Sequence, residues 1–511
     1  MGETKKTLLA GSLAYSALAL CATGAAAQNK YNGAGERPNI IYIMLDDMSY
    51  DMLPVGYDRY PFNTLPNLER LQKEGATFSN FFCTHSLSSP SRATNLTGCY
   101  PHIHGMTQNV NGLEPDWERT KTYGTFLQAA GYNTAFIGKI HMSHAPAQQK
   151  KGSIRPGFDY WVSFYEQGVY IDPQIVDNGV EKQHKGYMTD ILTDYTLEWI
   201  KSKRDKDKPF CLTLWHKAVH QPFTPAERHA ALYQGEPIGP PPYNTHLDDL
   251  YEKPVWQRAK ILKRETDIPD RLPPAGPWQP KKAQYDMLRS LRAVDESLGE
   301  IIKLLKEEGI DQNTVIMFSS DNGYFHGEHR MGDKRMAYEV SIRIPMVIRW
   351  PGVAKPGSII DPICSNLDVA PTILDLAQVP LPDQFQGASM KNLLAGRKEP
   401  SWRKSFLYEY FQDRALSPLL APTMVGVRTD RYKYVESAYL YEGKPDIAEL
   451  YDLRNDPGEM KNLVNDKAYA KILKQMQQEL ERLKKRYRYN PDRDWRLKEL
   501  GIELPPQSTR I

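Results

Sequence analysis

The sequence predicts an α/β fold: a large, mostly parallel sheet flanked by helices, plus a smaller C-terminal subdomain with an antiparallel sheet. Three observations carry this. Short, almost wholly apolar runs of strand length each end in polar residues, as suits strands buried on both faces. Amphipathic helical segments alternate with them, the pattern of a parallel sheet. From about Ser401 the register changes to short strands separated by charged turns.

The strand candidates come in order. Asn39 to Leu45 runs into Asp46-Asp47, and Thr134 to Gly138 into Lys139. Phe210 to Trp215 precedes His216 and His220, and Thr314 to Ser320 runs into Asp321-Asn322. Ligands of open α/β sheets bind beyond the carboxyl ends of the strands, which is where these polar clusters would emerge. Between them, a helix over Leu68 to Lys73 stops at Gly75. A second, Ile191 to Lys203, follows Thr189-Asp190 as its cap. The longest, Tyr285 to Glu308, aligns Leu288, Leu291, Leu298, Ile301 and Leu305 on one stripe.

Residues 236–282 interrupt the alternation with Pro240-Pro241-Pro242, Pro273-Pro274, Trp256 and Trp278. They read either as an insertion rimming a cleft or as an inert surface loop. Beyond Ser401, Ser405 to Phe411, Met424 to Arg428 and Tyr432 to Glu436 read as strands, followed by a polar helix over Tyr469 to Arg486. The chain thus divides into 1–27, 37–400 and 401–511.

Residues 1–27 have the form of a signal peptide: Lys5 and Lys6, an apolar stretch from Leu8 to Leu20, then Ala25-Ala26-Ala27 before Gln28. Export to the periplasm is expected. Lipid anchoring at Cys21 is the alternative, disfavoured by the bulk of Leu20. The apolar stretch is too short for stable membrane insertion. The 65 Lys and Arg nearly balance 62 Asp and Glu, so bulk charge offers nothing to nucleic acid or a membrane surface. After cleavage Cys83, Cys99, Cys211 and Cys364 remain, too few for a disulfide framework. A Cys83–Cys99 bridge and buried free thiols are both open.

Two polar pairs mark strand ends. Asp46-Asp47 and Asp321-Asn322 together offer three carboxylates and an amide oxygen. An oxygen-only donor set suits a hard cation, Ca²⁺ or Mg²⁺, rather than zinc. Between them lies Ser88-Ser89-Pro90-Ser91-Arg92, followed by Leu96-Thr97-Gly98. Local chemistry alone makes this a Ser/Pro turn entering a helix.

The motif Ser-x-Pro-Ser-Arg with Leu-Thr-Gly resembles the signature of type I sulfatases. The resemblance extends over residues 37–380: Gly138-Lys139-Ile140-His141, His220-Gln221-Pro222, and Lys334 before Glu339 match further segments in order. It implies the sulfatase fold, which is alkaline-phosphatase-like, and oxidation of Ser88 to formylglycine by a dedicated maturing enzyme. It also implies that Asp46, Asp47, Ser88, Asp321 and Asn322 hold one divalent ion, usually Ca²⁺. In the implied mechanism Arg92 and Lys139 stabilise the hydrated aldehyde. His220, with Lys334, binds sulfate and protonates the departing oxygen, and His141 acts as the base that restores the aldehyde. Serine-type sites of this kind point to an exported bacterial enzyme.

Pro101-His102-Ile103-His104-Gly105, Gly157-Phe158-Asp159-Tyr160-Trp161 and Asp333-Lys334-Arg335 with Tyr338-Glu339 are most similar to N-acetylglucosamine-6-sulfatases. The implied substrate is a sulfated glycan of heparan, keratan or mucin type, desulfated at O6 from the chain end. His141 departs from that subfamily, which often lacks it. Sulfatases for iduronate O2 or galactose O6 are the alternatives, and a phosphoesterase of the same superfamily is a more distant one.

Overall fold

The computed structural model describes residues 37–501 except 57–58, 111–112, 143–156, 241–252, 265, 271, 274–275, 277–278 and 414–420. The expected signal peptide and Cys21 therefore lie outside the described residues, as does Trp278.

Asn39–Leu45 is buried along its whole length because both of its faces are covered. Ile40, Tyr42 and Met44 point into one hydrophobic core, and Ile41, Ile43 and Leu45 into another. It pairs in parallel with Thr314–Ser320 on one side and Phe210–Trp215 on the other. Asn133–Gly138 and Tyr160–Ser163 extend this parallel centre. The full sheet has ten strands among the described residues. Its outer members include strands that the sequence did not announce: Met346–Arg349 is antiparallel to Thr314–Ser320, and Gln174–Asp177 is antiparallel to Tyr160–Ser163. At three or four residues, these outer strands are too short to show a period.

One face is covered by Pro66–Glu74, Met188–Glu198 and Lys282–Glu307, whose stripe of Leu288, Leu291, Leu298, Ile301 and Leu305 is wholly buried. The second helix differs from expectation at its start. It begins at Met188, with Tyr187 as cap. The side chain of Asp190 instead turns outward to Arg228. The other face carries Ser88–Thr97, Tyr123–Ala129 and Val369–Leu376.

The C-terminal sheet runs Ser405–Tyr410, Met424–Thr429, Tyr432–Ser437 and Glu449–Asp452, antiparallel throughout. Leu407, Val427, Tyr434 and Leu450 face Met476, Leu480 and Leu483 of the helix Ala470–Tyr487. Phe406, Tyr408 and Tyr410 pack instead on the main body.

Part of the 236–282 segment is integral to the core rather than an inert loop. Val255–Leu262 is helical, and Trp256 is completely buried. Cys83, Cys99, Cys211 and Cys364 are all buried free thiols, so Cys83 and Cys99 are not bridged.

Candidate active site

The register places the site. Leu45 lies opposite Ser320, Met44 opposite Trp215, and Trp215 opposite Gly138. Four strands thus end in one row, and the chain leaves each at the same edge. Hydrogen bonds continue the row past the strands: Asp321 N donates to Leu45 O (3.1 Å), Asp46 N to Ala218 O (3.0 Å) and Lys139 N to Trp215 O (2.8 Å).

Ser88 is the first residue of the helix Ser88–Thr97, all ten residues of which are buried. Pro90 fits there because N–H groups in the first turn have no intrahelical partner. The positive end of the helix favours negative charge beside Ser88. Ser88 Oγ donates to Asp46 Oδ1 (3.2 Å) and accepts from Lys334 Nζ (3.1 Å).

Around it the charges interlock. Lys139 Nζ binds Asp46, and Lys334 Nζ binds Asp47. Arg92 reaches Asp321 Oδ2 (2.9 Å) and Asp46 Oδ2 (3.2 Å), and it donates to Lys139 O (2.8 Å). Asn322 Nδ2 donates to Asp47 Oδ1 (2.6 Å), and Asp321 Oδ1 accepts from Asp47 N (3.2 Å). His220 Nε2 lies 3.8 Å from Asp47 Oδ2, while its Nδ1 is 2.6 Å from Gln221 O. That second contact gives Nδ1 the proton and leaves Nε2 facing the cluster.

Burial opposes ionisation of Asp46, but Lys139, His220, Arg92 and Lys334 outweigh it and hold the carboxyl well below its usual range. Burial pushes Asp47 up to about 7, against the pull of Lys334. Burial, followed by the charge of Lys139, keeps His220 well below the ordinary histidine value. The site is thus a buried, dense array in which an added charge has large effects.

The residues present fit a hard divalent cation. Asp47 Oδ2 and Asn322 Oδ1 are buried oxygens without a hydrogen-bond partner among the described residues, and such orphaned acceptors are costly unless something occupies them. Donor atoms of Asp46, Asp47 and His220 lie within 4.8 Å of one another. His220 stands in this cluster although the sequence reading gives it to sulfate and the departing oxygen rather than to the metal, and both Asp321 carboxylate oxygens also accept hydrogen bonds, from Arg92 and the Asp47 amide.

All the expected side chains converge, with His141 one step away. It adopts φ 54°, its carbonyl accepts from Ser89 Oγ, and its Nε2 is 3.0 Å from Gln167 Nε2. Gln167 also accepts from Lys139 Nζ, so one amide orients both the base candidate and a lysine. Nothing in the sequence singles out Gln167. Lys217 had a signal, being three residues before His220. It is buried, its ammonium has no hydrogen-bond partner among the described residues, and burial lowers it to about 7. Asn366 is a third addition, donating to Ser91 Oγ (3.0 Å) and accepting from Thr84 N (3.1 Å).

The sulfatase profile matches residues 38–379, and the profile of the N-sulphoglucosamine sulphohydrolase C-terminal region matches 327–486. The chain is 34% identical to an N-acetylglucosamine-6-O-sulfatase of Bacteroides thetaiotaomicron, over 96% of this chain and 93% of that protein. It resembles a solved structure in complex with its substrate D-glucosamine-2-N,6-O-disulfate (TM-score 0.75, 32% identity, 90% of this chain and 100% of that one). The phosphonate monoester hydrolase of Agrobacterium radiobacter shares the fold (TM-score 0.68, 22% identity, 88% and 96% covered). From its first strand to beyond the Lys334 segment, the chain belongs to the sulfatase family and is a sulfuric ester hydrolase.

Proposed function

We propose that the protein removes the 6-O-sulfate from terminal glucosamine or N-acetylglucosamine residues of sulfated glycans, after export to the periplasm. The buried Ser88 hydroxyl, held between Asp46 and Lys334 where three strands deliver their acids and lysines, carries the assignment of the reacting group. The similarity to an N-acetylglucosamine-6-O-sulfatase along almost the whole of both chains supports the substrate.

Oxidation of Ser88 to formylglycine by a maturing enzyme would supply, once hydrated, a more acidic hydroxyl than serine and a route for releasing bound sulfate. Asp46, Asp47, Asp321 and Asn322, with residue 88, would hold Ca²⁺ (Mg²⁺ is the alternative), which would supply positive charge beside the reacting oxygen. The chain's own groups do the rest. Lys139, Lys334 and Arg92 place fixed positive charge around residue 88, where a sulfuryl group gathers negative charge. His220 presents Nε2 toward the same space, and a sulfate ester arriving there favours its protonated form, the one that donates to a departing sugar oxygen. His141, oriented by Gln167, would be the base that takes a proton from residue 88.

Mass spectrometry across Ser88 in protein from its own host should show the mass loss of oxidation to the aldehyde. That protein should hydrolyse glucosamine 6-sulfates faster than galactose 6-sulfate, iduronate 2-sulfate or phosphate esters. Full activity with unmodified serine would overturn the chemistry. A preference for another ester would overturn the substrate.

A further inference from the structure

A cavity of about 470 Å³ adjoins the catalytic cluster. Its walls are continuous with catalytic segments. Phe223 lies three residues beyond His220 and donates its N–H to the His220 carbonyl (3.3 Å). Tyr324 lies two residues beyond Asn322, near enough for Asp47, Asp333 and Lys334 to act on its hydroxyl. The two rings meet edge to face, with centroids 5.7 Å apart, and both line the cavity. Lys281 and Arg330 line the same cavity. Arg330 donates to Pro273 O (3.0 Å), and neither cation has a carboxylate partner among the described residues. No Asp or Glu is among the described residues that line the space. The long helix Lys282–Glu307 begins at the same wall, through Ala283 and Gln284, and adds its positive end.

Aromatic faces beside cations that no carboxylate among the described residues neutralises favour a ring-shaped anion. We propose that this cavity is a second subsite, which takes a hexuronate joined to the glucosamine whose sulfate is removed. The inference rests on the glucosamine reading above and narrows it from sulfated glycans in general to uronate-bearing chains. The uronate ring lies against Phe223 and Tyr324. Its carboxylate faces Lys281 and Arg330.

The test compares wild-type matured enzyme with Lys281→Ala/Arg330→Ala on three substrates: glucosamine 6-sulfate, the same sugar linked to hexuronate, and the same sugar linked to galactose. Wild type should prefer the hexuronate substrate by at least fivefold in kcat/KM, and rising salt should shrink the preference. The double variant should lose the preference while keeping kcat/KM for the monosaccharide within about twofold. Calorimetry with the unsulfated hexuronate disaccharide gives a readout without turnover: wild type binds it, and the double variant binds it at least fivefold more weakly. Equal losses on all three substrates, or unchanged preference and unchanged disaccharide binding, would overturn the subsite. Failure of wild type on every glucosamine 6-sulfate would overturn the glucosamine reading instead, while disaccharide binding would still report on the cavity.

Discussion

His141 and His220 occupy different electrostatic positions, and that difference can be read in kinetics. His220 faces Asp47 directly, whereas His141 is joined to the cluster through Gln167 and the Ser89 hydroxyl. His220→Ala should slow the first chemical step, most severely for esters with poor leaving groups, by about 10²–10⁴-fold. His141→Ala should leave that step largely intact, giving a burst of one equivalent of alcohol from an activated aryl sulfate and then slow turnover. A His141 variant that is slow from the first turnover would assign this residue to binding instead. Asp47 and Asn322 make a separate prediction, because their orphaned oxygens fit a cation. Strong chelation should abolish turnover and lower the melting temperature, and both should recover on adding Ca²⁺. Insensitivity of both to chelation would show that these oxygens hold no ion.

At the level of elements, the site depends on close approach between strand ends. Gly138 ends its strand at φ 123°, and a Cβ there would lie 1.9 Å from the Trp215 carbonyl oxygen. That same oxygen accepts the Lys139 amide hydrogen. Gly138→Ala should therefore cost about 3 kcal/mol or more and lower activity in the protein that remains folded, because Lys139 moves with the backbone. Gly309→Ala is the control. It also has positive φ (68°) but open space around it, so a cost of about 1 kcal/mol is expected. Urea unfolding of both variants checks the contrast, and equal costs would show that the approach to Trp215 is not limiting.

Across the whole molecule, the C-terminal sheet braces the active-site loop. Tyr408 Oη donates to Arg335 O (2.6 Å), one residue past Lys334. Glu339 is gripped by Arg428 and Lys433, and Lys433 also holds Glu459. His102 ties the two parts at another point, with Nδ1 2.6 Å from Glu409 Oε2 and Nε2 2.9 Å from Tyr487 O. Burial disfavours its charge, but Glu409 outweighs burial and raises its pKa. A raised histidine contributes stability that is complete below the unfolded value of about 6.5 and is lost as pH rises through the folded value. Neighbouring His104 is buried and held low, so its contribution runs the other way and is lost on acidification. The His102 share appears in the difference between wild type and His102→Gln. That difference should be about 2 kcal/mol near pH 6 and shrink toward alkaline pH, as read from urea midpoints. A difference independent of pH would show that His102 is neutral in the fold.

The sequence by itself determined the central parallel strands, the long amphipathic helix and the polar residues at the strand ends. A strand buried on both faces must be apolar throughout, so Asn39–Leu45, Phe210–Trp215 and Thr314–Ser320 could be located to the residue. Local pattern is weaker where burial does not dictate composition. Met346–Arg349 and Glu449–Asp452 are only four residues long, and the helix at Met188 starts where packing rather than a capping side chain sets it. Only the tertiary structure decided that Cys83 and Cys99 stay apart, that Trp256 belongs to the core, and that Gln167 links Lys139 to His141. The cavity beside Phe223 and Tyr324 belongs here too. The physical reason is one of range. Periodicity and composition report the solvent each residue meets along its own segment, whereas a hydrogen bond or cavity shared by segments a hundred residues apart exists only once the sheet has set their register.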